Sequence, residues 1–306
     1  MNQPARAARG PFLARLQSGP PLILDGATGT ELLRRGFRTA LPLWSAGALL
    51  DAPDLVAAIH ADYVAAGAEI VTANTFRTNP RTLARAGRFG RGRELTRRAV
   101  ELARASGAPF VAGSIAPVED CYRSDLVPVD AQLRAEHAEM AAALAEAGAD
   151  LLLVETMNTV REAAIATEAA HAVGLPVLAG FVCGVDARLL DGADPAEAAR
   201  AVEAAGACAV LVNCTPMAAI ARVLERLRTG TGLPLGAYAN VGVEDPAVGW
   251  TLTDDVEPGP YARAAREWVR LGARVLGGCC GTQPAHIRAL ADRFGRDTAQ
   301  GPTGPR

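Results

Sequence analysis

The chain has 306 residues, 50% of them hydrophobic and 21% charged, with a formal net charge of −2. That is enough for one large core, and it excludes the basic field that a nucleic-acid backbone or an anionic membrane surface requires. All 31 basic residues are arginine, which rules out Schiff-base chemistry on a lysine and any phosphate loop built around one.

Residues 1–17 carry Arg6, Arg9 and Arg15 without an acid and lack the apolar stretch of a secretory signal, so they predict a short tail, disordered or loosely docked. Beyond them, short β-rich apolar runs alternate with Ala-rich helical stretches. The runs are Leu22–Asp25, Ile70–Asn74, Phe110–Gly113, Leu151–Glu155, Val177–Val182, Ala209–Asn213, Leu235–Ala239 and Val275–Gly277. Continuous apolar strands between helices predict a parallel sheet buried on both faces. Eight such units in one domain, residues 18–294, predict an α/β fold of the closed (β/α)8 TIM-barrel type.

Within the helical stretches, Leu133, His137, Met140, Ala141 and Leu144 of the segment Asp130–Gly148 fall on one face. Asp54 and Asp194 are expected as helix caps, the latter followed by Pro195 at the first turn. The Gly/Pro-containing stretches 87–92, 191–195 and 244–260 are expected as loops, and the tail 295–306 as disordered. No apolar run approaches the roughly 20 residues of a membrane span. Six cysteines with two adjacent make a poor disulfide framework and a reasonable metal or reactive-thiol set, which points to a reducing cytoplasm.

In such a barrel the chemistry sits where strands end. The first run ends in Asp25-Gly26-Ala27-Thr28-Gly29-Thr30, the second in Asn74-Thr75-Phe76, the fourth in Glu155-Thr156, the sixth in Asn213-Cys214 and the eighth in Gly277-Gly278-Cys279-Cys280-Gly281-Thr282. The thiols of Cys214, Cys279 and Cys280 end strands that are next but one in a closed ring, within reach of one ion. Zinc fits them best, and three cysteines with one position open make a catalytic rather than a structural site. Adjacent strand residues point to opposite faces, so Gly277 and Gly278 are expected to bend the backbone and turn both thiols to one point. Cys121, Cys183 and Cys208 stand outside that set as ordinary thiols.

Asp25 and Glu155 close apolar runs and need cationic partners. Either they receive the ammonium of an amino-acid substrate, or they pair with arginines. Gly26 and Gly29 are expected to admit a ligand close to the backbone, with Thr28 or Thr30 adding a hydroxyl. His60, His137, His171 and His286 all fall in helical patterns away from strand ends, so a histidine base is not expected, and no catalytic side chain is called for beyond the metal site.

These segments resemble the homocysteine S-methyltransferase family over nearly the whole chain, from Asp25-Gly26 to Thr282. The specific signature is Gly277-Gly-Cys-Cys-Gly-Thr282 with the upstream Asn213-Cys214. Asp25-Gly-Ala-Thr-Gly-Thr-Glu31, Leu43-Trp-Ser45, Asn74-Thr-Phe76 and Glu155-Thr156 accompany it. The resemblance implies a (β/α)8 barrel, Zn2+ on Cys214, Cys279 and Cys280, and homocysteine held by Asp25, Gly26, Thr28, Asn74 and Glu155. Leu43-Trp-Ser45 and Tyr238-Ala-Asn-Val-Gly242 are most similar to the stand-alone S-methylmethionine type; Ala239 and the Val118–Tyr122 loop depart from it.

The expected reaction moves a methyl group from a sulfonium donor, S-methylmethionine or S-adenosylmethionine, to homocysteine held on zinc as its thiolate, giving methionine. The partners expected are small molecules only, with no nucleic acid and no membrane. Two rivals stand beside it. One is an enzyme that takes its methyl from a separate corrinoid or folate protein. The other is a zinc- or thiol-binding barrel without turnover.

Overall fold

The computed structural model describes residues 3–243, 251–252 and 257–295. Eight parallel strands form its barrel: Leu22–Ile23, Ile70–Ala73, Phe110–Ile115, Leu151–Met157, Val177–Phe181, Ala209–Pro216, Leu235–Asn240 and Ala273–Gly278. Each pairs with its neighbour in chain order, the first pairs with the eighth, and a parallel bridge between Leu24 and Ile70 closes the ring. This is the (β/α)8 barrel that the alternating runs predict. A short antiparallel ribbon pairs Gly242–Val243 with Thr251–Leu252, and its second strand falls in the stretch 244–260 expected as a loop. The remainder of that stretch before residue 257, and residues 296–306 of the expected tail, fall outside the described residues.

The strands are aliphatic throughout because both of their faces are covered. Ile23, Val71, Val111 and Leu152 pack outward with the helices, while Leu22, Leu24, Ile70, Leu151, Leu153, Leu178, Leu211 and Val275 fill the barrel interior. The helix Asp130–Glu146 buries the five residues of its predicted face. Asp194 caps its helix, its side chain accepting from the Ala196 N–H at 2.8 Å. Asp54 does not. Its helix begins at Pro53 with Ala52 at the cap position, so the carboxylate lies in the first turn and acts on the positive end of the helix dipole.

Residues 3–17 are a helix and not a loose tail. Its Phe12 and Leu16 belong to the interior cluster, and Phe12 meets the ring of Phe110, at the start of the third strand, edge-on at 5.2 Å. Arg15 is buried against Glu69 at 2.6 Å and also donates to the carbonyls of Ser18 and Pro20. The helix therefore stoppers the N-terminal end of the barrel. Phe12→Ala is expected to destabilise the fold by about 3–5 kcal/mol, the usual result of emptying a fully buried aromatic site. Thermal unfolding should move down while the metal content of the folded protein stays unchanged, because the cavity with the cysteines lies at the opposite end.

Candidate active site at the C-terminal mouth of the barrel

Two strands carry an irregularity at their C-terminal ends. Between the fourth and fifth strands the register shifts between Val154 and Met157, and between the sixth and seventh it shifts between Asn213 and Pro216. At each shift one residue takes a left-handed backbone, Thr156 at φ 58° and Cys214 at φ 47°. Such conformations cost roughly 1–3 kcal/mol for a residue with a side chain, and they persist only where the surroundings hold them. Here one amide locks both. The Thr156 N–H donates to Asn213 Oδ1 at 3.0 Å, and Asn213 Nδ2 donates to Thr156 Oγ1 at 2.7 Å. The bulges place Glu155 and Cys214 on the wall of the mouth.

The eighth strand runs straight through Gly278, and the two cysteines follow its end. Gly277 and Gly278 do not supply the left-handed bend expected of them. They are glycine for want of space: a Cβ on Gly277 would lie 2.8 Å from Leu24 Cβ, and one on Gly278 would lie 2.2 Å from Thr282 Oγ1. The left-handed residue is Gly281, at φ 82°, with the Val241 carbonyl packed against it. The turn 278–282 is tied by the Thr282 hydroxyl donating to the Cys279 carbonyl at 2.7 Å. As a result the three Sγ atoms of Cys214, Cys279 and Cys280 lie within 4.8 Å of one another, with Cys214 and Cys279 in contact at 2.7 Å. None of the six cysteines forms a disulfide. Hydrogen bonding from Cys214 and then Cys280 holds the Cys279 thiol well below its ordinary pKa, while Cys214, bonded to Cys279 and Cys280, is pushed up. A cation relieves that conflict, because thiolate charge concentrated in a buried site demands a positive counterpart.

The two carboxylates sit beside this cluster. Asp25 accepts from the Thr72 N–H at 2.7 Å and from the Thr72 hydroxyl at 2.9 Å. Glu155 accepts from Ser114 Oγ at 2.5 Å and from the Tyr238 hydroxyl at 3.0 Å. Neither pairs with an arginine among the described residues. Burial pushes Asp25 up to about 7 against the pull of the Thr72 bonds, and burial pushes Glu155 up to about 8, with the negative charge of Cys279 adding to it. Both lean toward the neutral form for lack of a cation.

A cavity of about 550 Å³ joins these groups, and all of the residues expected at the site line it: Asp25, Gly26, Thr28, Asn74, Glu155 and the three cysteines. Two of them, Asn74 and Gly26, and the neighbouring Gly29 do something the sequence did not reveal. The Asn74 amide is occupied by Ser45, accepting its hydroxyl at 2.6 Å and donating to its carbonyl at 2.9 Å, so it fastens the Trp44–Ser45 segment over the cavity. Gly26 is glycine because Tyr63 packs against it, and Gly29 because the Trp44 indole does; a Cβ on Gly29 would fall 2.3 Å from Trp44 Nε1.

The Val118–Tyr122 loop, legible in the sequence only as a departure from the family pattern, brings Cys121 and Tyr122 to the cavity wall, and Arg123 follows them. It is firmly held. The Val118 N–H donates to Glu162 at 2.9 Å, Asn158 Nδ2 donates to the Cys121 carbonyl at 3.0 Å, and Glu119 receives Arg81 at 2.8 Å and Arg85 at 2.6 Å. The signal was the apolar Val118 next to two acids in a region with two nearby arginines, which is visible only once the fold joins them. Of the other thiols, Cys183 is buried away from the cavity and pushed up to about 12 by burial. The histidines lie in helices as expected, His137 bonding Glu162 and His286 completing the cap at Gln283.

A (β/α)8 barrel with three converging thiols that could hold a metal ion, beside two buried carboxylates without arginine partners among the described residues, has the site of a barrel enzyme at its C-terminal mouth. The homocysteine S-methyltransferase family matches residues 22–294, and the chain belongs to it. Homocysteine S-methyltransferase YbgG of Bacillus subtilis is 32% identical over 90% of this chain and 95% of its own length. The homocysteine S-methyltransferase of Escherichia coli is 32% identical over 92% of this chain and 98% of its own. The crystal structure of the metallated form of the Escherichia coli homocysteine methyltransferase MmuM superposes with a TM-score of 0.80 at 30% identity, covering 92% of this chain and 99% of that one.

Proposed function

We propose that the protein transfers a methyl group from a sulfonium donor to homocysteine, with zinc held by Cys214, Cys279 and Cys280. The observation that carries this reading is the convergence of the three thiols beside two buried carboxylates without cations. The metallated state of the related MmuM structure supports a metal at this place. Zinc bound there supplies the positive charge that keeps a thiol sulfur deprotonated at neutral pH.

The chain's own residues do the rest. Asp25 and Glu155 take the amino acid's ammonium, each already oriented by two hydrogen bonds, and the cation draws both carboxyls back to the charged form. Thr28, at the start of the helix Thr28–Arg34, and the backbone at Gly26 face its carboxylate. With both ends of the amino acid fixed, its sulfur has little freedom left, and such positioning lowers a bimolecular barrier by several kcal/mol. Trp44, next to the Ser45 that Asn74 fastens, walls the site from water. No helix among the described residues is long and apolar enough to cross a membrane, and six cysteines without a disulfide support a cytoplasmic location.

The direct test is methionine formation by the purified zinc-loaded protein from homocysteine and S-methylmethionine alone. Turnover only after addition of a methylated corrinoid or folate protein would favour the partner-dependent rival, and binding without any turnover the non-catalytic one. A second measurement addresses thiol activation. A thiol of pKa about 8.5 is mostly protonated at neutral pH, so homocysteine binding should release close to one proton from sulfur, read by calorimetry in buffers of different ionisation enthalpy. Methionine, with no proton on sulfur, corrects for protons released by Asp25 and Glu155. Equal release by the two ligands would overturn the thiolate mechanism.

A further inference from the structure

The cavity is graded in exposure and in charge. Its floor holds the thiols, Asp25 and Glu155, with the two carboxylates 2% and 8% exposed. Its rim is made by Leu41, Phe76, Arg77, Asp120 and Arg123, all half-buried or exposed. The floor matches one amino acid, offering carboxylates for its ammonium and the Gly26–Thr28 backbone for its carboxylate. A sulfonium donor of the methionine type brings a second carboxylate into the same cavity, and nothing at the floor answers it.

Two arginines line the cavity. Arg123 is already spent: its guanidinium grips Asp125 with bonds of 2.7 and 2.6 Å. Arg77 is different. It directly follows Phe76 in the loop beyond the second strand and lies over the Phe76 ring at 5.5 Å. Among the described residues no carboxylate and no hydrogen-bond acceptor reaches its guanidinium. A half-buried arginine turned along a cavity wall by an aromatic ring, with its planar fork unoccupied, is set for a carboxylate.

Resting on the methyltransferase reading, we propose that Arg77 determines donor specificity by pairing with the α-carboxylate of a sulfonium amino acid at the rim of the cavity. Anchoring that end at the rim directs the sulfonium, three carbons further along the donor, toward the floor where the homocysteine sulfur lies. In the transfer a new S–CH3 bond forms at homocysteine as the donor's S–CH3 bond breaks. That bond's electron pair stays on the donor sulfur, which leaves as a neutral thioether. The thiol proton has already passed to solvent. Arg77 takes no part in these bond changes, so its contribution falls on donor affinity.

The experiment compares zinc-loaded wild type, Arg77→Ala and Arg77→Lys with two donors. One is S-methylmethionine. The other is its methyl ester, which keeps the sulfonium and the ammonium but has no carboxylate charge. Loss of one charge-assisted pair is expected to raise the KM for S-methylmethionine about tenfold or more in Arg77→Ala. Arg77→Lys should restore part of the loss. The KM for homocysteine, the zinc content and the kinetics with the ester should stay within about twofold of wild type. An unchanged KM for S-methylmethionine, an equal loss with both donors, or a rise in the KM for homocysteine instead would each overturn the assignment. Calorimetric binding of S-methylmethionine to the same proteins separates this from the function itself. If wild type forms no methionine but binds S-methylmethionine, and Arg77→Ala weakens that binding about tenfold, the proposed reaction fails and the Arg77 assignment stands. If wild type does not bind S-methylmethionine, the assignment falls.

Discussion

Cys279→Ala is expected to bring the zinc content of the purified protein close to zero and to lower methyl transfer by about a thousandfold or more. Zinc held there would place its charge on the sulfur in the transition state, an effect worth several kcal/mol, and each 1.4 kcal/mol is a factor of about ten in rate. Cys279 is the thiol most affected because both neighbours stabilise its anion. Removing it leaves Cys214 on a strained bulge and Cys280 alone on the turn. Cys214→Ala and Cys280→Ala should act in the same direction, since a site of two thiols with no further protein ligand holds zinc weakly. The barrel itself should survive all three. Its interior is filled from the other end by Phe12, Leu16 and the aliphatic strand residues, and the cysteine turn lies at the mouth. Metal analysis alongside circular dichroism checks this: full zinc retention in all three variants with native folding would remove the cysteines from the metal site.

The eight strands are legible in the sequence because a strand buried on both faces must be apolar along its length, and the first polar residue marks where it meets solvent or a ligand. That rule also brings Asp25, Asn74, Glu155, Cys214 and the Cys279–Cys280 pair to one end from the sequence alone. It fails where a residue's environment comes from another segment. Asp25 was expected to need an arginine or a ligand, yet its present partners are the backbone and hydroxyl of Thr72, one strand away. Gly26 reads as room for a ligand and Gly278 as a bend, whereas each is glycine because Tyr63 and Thr282 fill the place of a side chain. The N-terminal helix was hidden by Gly10 and Pro11 inside it and by the absence of an acid in its first turn. Its stability is tertiary, supplied by Phe12 and Leu16 entering a barrel that the local sequence does not describe.

Asp25→Asn should separate stability from function. The carboxyl is fully buried and holds its proton up to about pH 7 in the folded chain, against an ordinary value near 3.8. Between about pH 4 and 7 the folded state therefore binds more protons at this position than the unfolded state, so its contribution to stability falls as pH rises through that window and stays low above it. Each tenfold difference in proton affinity corresponds to about 1.4 kcal/mol, which makes the cost on the order of a few kcal/mol at pH 8. Asparagine keeps the geometry: its oxygen can accept the Thr72 N–H while its amide donates to the Thr72 hydroxyl. The variant should melt higher than wild type at pH 8, and the two should converge near pH 5. Homocysteine should bind it more weakly by at least about tenfold, since an ammonium in a desolvated site loses a charged partner. Glu155→Gln should follow the same pattern, with zinc content unchanged in both. The opposite ranking of thermal stability and affinity is the result a purely structural carboxylate cannot produce, because a residue kept for the fold would lose stability on substitution and leave homocysteine binding alone.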